Sequence, residues 1–86
     1  MNAELQVRVR VMETWSDMVM RLPAPTTIGS VKQQALTAAH ITADPARYLV
    51  KFRGAELSDE SRSLADEHVP TDGALIVMRR RRIPVR

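Results

Sequence analysis

Leu5, Val7, Val9 and Val11 are apolar at every second position, and Gln6, Arg8 and Arg10 fill the places between them. Side chains of a strand point alternately to its two faces, so this run buries itself as a strand that covers a core with one face and meets water with the other. Alternation resumes at Met18, Met20 and Leu22 after the polar stretch 13–17, which predicts an antiparallel hairpin with a five-residue connection and Trp15 at or near its tip. An isolated hairpin is marginal in water, so the rest of the chain must supply what it packs on.

Pro23 and Pro25 end the second strand, because proline has no donor for a ladder. Thr26 or Thr27 then caps a helix running to about Ala39, with Ile28, Val31, Ala35 and Ala38 or Ala39 on its apolar face and Lys32, Gln33 and Thr37 facing away. Ile41 reads as a plug behind the helix, and Thr42-Ala43-Asp44-Pro45 as a turn. A third strand alternates Tyr48, Val50 and Phe52 with Leu49, Lys51 and Arg53 and stops at Gly54, with a small edge strand around Ala55 to Leu57. Residues 58–67 are polar apart from Leu64, which is expected to pin a short helical turn to the core. Thr71-Asp72-Gly73 is a turn signal, and in the last strand, Ala74 to Met78, Leu75 and Val77 face one way and Ile76 and Met78 the other.

At 86 residues the chain holds one small core. It has no cysteine, which removes disulfides, thiol nucleophiles and cysteine metal sites. No run approaches the roughly 18 apolar residues of a membrane span, and the expectation is a cytoplasmic protein. Net charge is +3, but Arg79, Arg80, Arg81, Arg82 and Arg86 hold five of the thirteen basic side chains, leaving eight basic against ten acidic residues over 1–78. A mildly acidic body thus carries a basic tail, and the charge is no domain-wide nucleic-acid surface.

His40 and His68 are far apart and lack ligand spacing, so no metal and no cofactor is expected; His40 belongs instead at the end of the helix. The carboxylates form no recognisable nucleophile or acid–base arrangement, and the chain is not expected to be an enzyme. Trp15 is either an anchor for a partner or folds back onto Met12 or Met18. The run 79–82 either continues the last strand into a solvated tail, or is an electrostatic handle for an acidic protein or anionic lipid, or binds nucleic acid. The last reading lacks an aromatic platform or a groove-reading helix.

Thr27-Ile28, Val31-Lys32, Val50, Phe52, Gly54, Leu57, Leu64, Asp66 and the Leu75/Val77 strand fall in the order and nearly the spacing of ubiquitin and its relatives. The sequence resembles the ubiquitin-like β-grasp family over residues 5 to about 82, most closely from Phe52 through Asp59, Leu64-Ala65-Asp66 and Val69 to Val77. The resemblance implies an α+β fold, a mixed sheet of four to five strands packed on one helix in ββαββ order. Residues 1–82 form the domain and 83–86 the end of the basic tail. In that turn Gly54 tolerates positive φ, and Asp66 braces a nearby backbone amide.

Modifiers and sulfur carriers of this fold act through a C-terminal diglycine. This sequence runs Arg82-Ile83-Pro84-Val85-Arg86 and holds no adjacent glycine pair, which disfavours that chemistry. The family's usual recognition patch corresponds here to Lys51, Ile76 and Met78, with a cation at its centre. The expected contact residues are Arg8, Arg10, Leu49, Lys51, Ile76, Met78 and Arg80 on the outer sheet face, together with Trp15, Arg81 and Arg82. The expectation is a non-covalent adaptor, a monomer, for a protein partner with an acidic, amphipathic surface. A modifier or sulfur carrier, or a tail-driven nucleic-acid module, is the alternative. The small ubiquitin-like proteins of bacterial type VII secretion are similar in length and also lack a diglycine end, which offers one setting by resemblance.

Overall fold

A computed structural model describes residues 4–80, so Arg81, Arg82 and the tail end 83–86 lie outside the described residues. β1 (Glu4–Val11) buries Val7, Val9 and Val11 and turns Arg8 and Arg10 to solvent, as the alternation requires. β2 (Ser16–Pro23) pairs with it antiparallel, from Glu4↔Pro23 to Val11↔Ser16. The connection is therefore residues 12–15, shorter than expected. Ser16 and Asp17 look like loop residues by composition, but Asp17 lies opposite Arg10 and their ion pair extends the ladder.

α1 (Ile28–Ala38) starts where the Thr27 hydroxyl accepts from the Ser30 amide at 3.2 Å. Its next free amides are met from outside: Ile28 donates to the Arg62 carbonyl and Gly29 to the Glu60 carbonyl. Ile28, Val31, Ala35 and Leu36 face the sheet. Lys32 does not face away as expected but is buried at 3% exposure. Its ammonium donates to the Tyr48 carbonyl at 3.1 Å and pairs with Glu60 at 2.8 Å, so the charge is matched and the stem fills the apolar stripe. His40 sits at the helix end in the left-handed region (φ 60), and its amide reaches the Thr37 carbonyl.

Asp44 caps a 3-10 turn, Pro45–Arg47, that leads into β3 (Tyr48–Phe52). Arg53 and Gly54 both have positive φ, 54 and 82, in the two-residue turn to β4 (Ala55–Glu56), a conformation that glycine takes without a Cβ penalty. Leu57 and the fully buried Leu64 draw the following polar segment onto the core, and the Leu64 amide donates to the Thr26 carbonyl. Asp66 braces the segment as expected: its carboxylate accepts from the Ser63 amide, and the Ser63 hydroxyl accepts from the Asp66 amide.

β5 (Ala74–Arg79) runs parallel to β1 and antiparallel to β3, giving the sheet order β2-β1-β5-β3-β4. The result is one helix laid on a mixed five-stranded sheet, with Val7, Val9, Val11, Tyr48, Val50, Leu75 and Val77 between them. Among the described residues no helix covers the opposite face of the sheet.

Candidate functional site: the open face of the sheet

Strand parity fixes which side chains share the open face. In one cross-strand row Arg10 lies beside Ile76, Ile76 beside Lys51 and Lys51 beside Glu56. In the flanking rows Val19, Arg8 and Ala74 are neighbours, and so are Met78 and Leu49. The structure thus brings together Arg8, Arg10, Leu49, Lys51, Ile76 and Met78 as the sequence expects. It adds Asp17, Val19 and Arg21 from β2, which alternation leaves as the polar side of a strand recognised only by Met18, Met20 and Leu22. Val19 is 61% exposed.

The face has relief. A depression of about 530 Å³ is lined by Arg8, Arg10, Asp17 and Val19, and one of about 410 Å³ by Lys51, Phe52, Arg53 and Asp72. Ala74 and Ile76 line both, so they form the ridge between them.

Charge on the face is divided between fixed and available groups. Arg10 holds Asp17 through both oxygens, at 2.7 and 3.3 Å. That hydrogen bond raises the Arg10 pKa and keeps the Asp17 carboxyl below the usual carboxylate range. Arg8 and Lys51 make no ion pair with a described carboxylate and can meet one from outside.

The remaining expected residues sit at the margins. Trp15 does not fold back: at φ 53 in the hairpin turn it is 72% exposed. Arg80 is clamped at the sheet edge, donating to the Ala46 carbonyl at 3.1 Å and to Glu56 at 3.0 Å, with Glu60 at 3.9 Å. Arg79 belongs to the fold, not to a free tail. Its guanidinium lies over the Tyr48 ring, 5.6 Å from the centroid, and meets Glu13 at 3.0 Å. Glu13 in turn accepts from the buried Tyr48 hydroxyl at 3.0 Å.

Among the described residues no group of histidine and carboxylate side chains is arranged to hold a metal ion, and no helix is long and apolar enough to cross a membrane.

No family model matches the sequence, and no curated protein matches it. Solved structures do. The chain superposes on an archaeal ubiquitin from Caldiarchaeum subterraneum with a TM-score of 0.78 at 12% identity, covering 93% of this chain and 98% of that one. The fold is the ubiquitin-like β-grasp. A ubiquitin-like domain of an Arabidopsis thaliana protein gives a TM-score of 0.75 at 16% identity, covering 96% of this chain and 84% of that one. A designed protein based on ubiquitin gives 0.76 at 16% identity, covering 96% of each. At such identities the likeness speaks for the chain path, and the open face has to be read from its own residues.

Proposed function

We propose that the chain is a non-covalent protein-binding module, a ubiquitin-like adaptor, that docks a partner with an acidic, amphipathic surface on the open face of its sheet. The observation that carries this reading is Ile76 standing on a ridge between two depressions, with Arg8 on one side and Lys51 on the other, neither paired to a described carboxylate. Ile76 and Val19 supply apolar area, and the two cations select carboxylates and repel basic partners. The methylene stem of Lys51 covers apolar surface while its ammonium reaches a partner. Trp15, exposed in the hairpin turn, serves as an anchor at the rim, and the charges that Arg81 and Arg82 add to the sequence favour encounter with an acidic partner.

The lack of cysteine agrees with a cytoplasmic setting, and a place beside a type VII secretion apparatus rests on family resemblance alone. Binding to the partner recovered with the wild-type chain tests the proposal. Lys51→Glu and Ile76→Asp should each weaken it at least about tenfold with the unfolding midpoint little changed, because both side chains are outside the core. Wild-type affinity in both variants refutes it.

A further inference from the structure

The outer edge of β2 carries a self-complementary register. In β1, the Arg8 amide donates to the Gly73 carbonyl and the Met12 amide to the Val77 carbonyl, so even-numbered residues turn their backbone groups toward β5. The odd-numbered residues therefore bond to β2, and their partners Ser16, Met18, Met20 and Leu22 return those bonds. The backbone groups of Asp17, Val19, Arg21 and Pro23 point the other way, to the edge that no described strand covers. Pro23 has no amide, and its carbonyl already accepts from the Thr26 amide at 2.9 Å. The open edge is thus Asp17, Val19 and Arg21, centred on Val19.

We infer that two copies of this chain pair through this edge, antiparallel about a two-fold axis at Val19. In that register Val19 lies opposite Val19 of the second copy, and Asp17 lies opposite Arg21 of the second copy, twice by symmetry. Every residue of the open edge has both an amide and a carbonyl, so all of them exchange backbone hydrogen bonds across the axis. Opposite charges face one another, the arrangement that favours cross-strand pairing, whereas charges on an edge strand ordinarily oppose it. Arg21 makes no ion pair with a described carboxylate, and the Asp17 carboxylate has lone pairs to spare beyond its bonds to Arg10. The apolar contact explains a valine left 61% exposed on a strand that faces solvent. On the other face Met18 meets Met20 of the second copy, an adaptable pair of side chains. The two sheets become one, and their open faces join at the depression that Val19 lines. Because so short an edge buries little area, the dimer is weak and concentration-dependent, in place of the monomer that the sequence alone favours.

Charge exchange tests both the partner and the register. Sedimentation of the full chain between about 10 μM and 1 mM should show a reversible monomer–dimer equilibrium. Asp17→Arg places two arginines opposite one another on each side of the axis, and Arg21→Asp places two aspartates there. Each variant alone should associate on the order of tenfold more weakly. An equimolar mixture of the two restores both opposite-charge pairs and should recover wild-type association as a heterodimer. Val19→Pro removes an amide that points away from β1, so it should abolish dimers while the amide spectrum keeps its folded dispersion. A wild-type chain that stays monomeric to about 1 mM overturns the inference. So does undiminished association of either single variant, or a mixture that fails to recover, as it would if this edge served an extended peptide of another protein.

Discussion

Removing the Glu60 carboxylate should destabilise the fold far more than its place in a polar loop suggests. Lys32 is almost fully buried, and its ammonium has two partners, the Tyr48 carbonyl at 3.1 Å and Glu60 at 2.8 Å. Breaking a buried ion pair by deleting one member typically costs about 3–5 kcal/mol, because the other charge is left without compensation. Glu60 keeps a quarter of its side-chain surface in water, which lets solvent replace part of what is lost, so about 2–3 kcal/mol is expected for Glu60→Ala. Lys32→Met removes the buried charge and keeps the apolar stem. It leaves the buried Tyr48 carbonyl without that donor, which costs about 1–3 kcal/mol. The double variant should then lie closer to Lys32→Met than to the sum of the two. Urea unfolding reads all of these, and in a domain of this size the Glu60→Ala loss corresponds to a fall in Tm of roughly 10–20 °C. A Glu60→Ala chain within about 0.5 kcal/mol of wild type, or a double variant whose loss equals the sum of the two single losses, refutes the reasoning.

The other expected outcomes follow from local geometry. Gly73→Ala would bring a Cβ to 2.9 Å from both the Pro70 carbonyl and a Val69 methyl, so it should cost about 1–3 kcal/mol in chemical denaturation. Gly54→Ala meets open space and bears only the penalty of its positive φ, about 1 kcal/mol, so it should lose less than Gly73→Ala. The Ser63 amide, then the Ser63 hydroxyl, hold the Asp66 carboxyl below its ordinary value of 3.8. A depressed folded pKa means that this stability is complete above the unfolded value and is lost as pH falls through the folded one. The gap in unfolding midpoint between wild type and Asp66→Asn should therefore be open at pH 7 and close on acidification below 3.8; a gap that widens in acid contradicts the assignment. Trp15, the single tryptophan, should show the emission of a solvated indole and ready quenching by acrylamide in the free chain, and a protected spectrum would mean that it is buried.

Much of the fold was legible in the sequence, because the period of the apolar residues matches the faces they cover. The valines of β1, the alternation of β5 and the buried Leu64 were all readable in this way. Reading failed where residue type and position disagree. Lys32 stands one helical turn from both Ile28 and Leu36, on the buried stripe, but a lysine suggests water until Glu60 and the Tyr48 carbonyl are known to converge on it. Ser16 and Asp17 read as loop because the ion pair that extends the strand comes from another strand. That the arginine run begins in the last strand was one of the readings open in the sequence, and Arg79 does end β5; its place over Tyr48 and the clamping of Arg80 by Glu56 at the sheet edge are contacts that only the fold creates. The open face was the most readable part of the candidate site, since parity places Arg8, Arg10, Leu49, Lys51, Ile76 and Met78 on one side. Val19 and the two depressions needed the register.

The most direct test of the docking face is to map amide chemical shifts of the chain as its isolated partner is titrated in, at low and at high salt. The expected map moves Arg8, Arg10, Val19, Leu49, Lys51, Ile76 and Met78, leaves the exposed side of α1 quiet, and shows affinity that falls as salt screens Arg8 and Lys51. Shifts gathered on α1 with the sheet face unmoved would contradict the account.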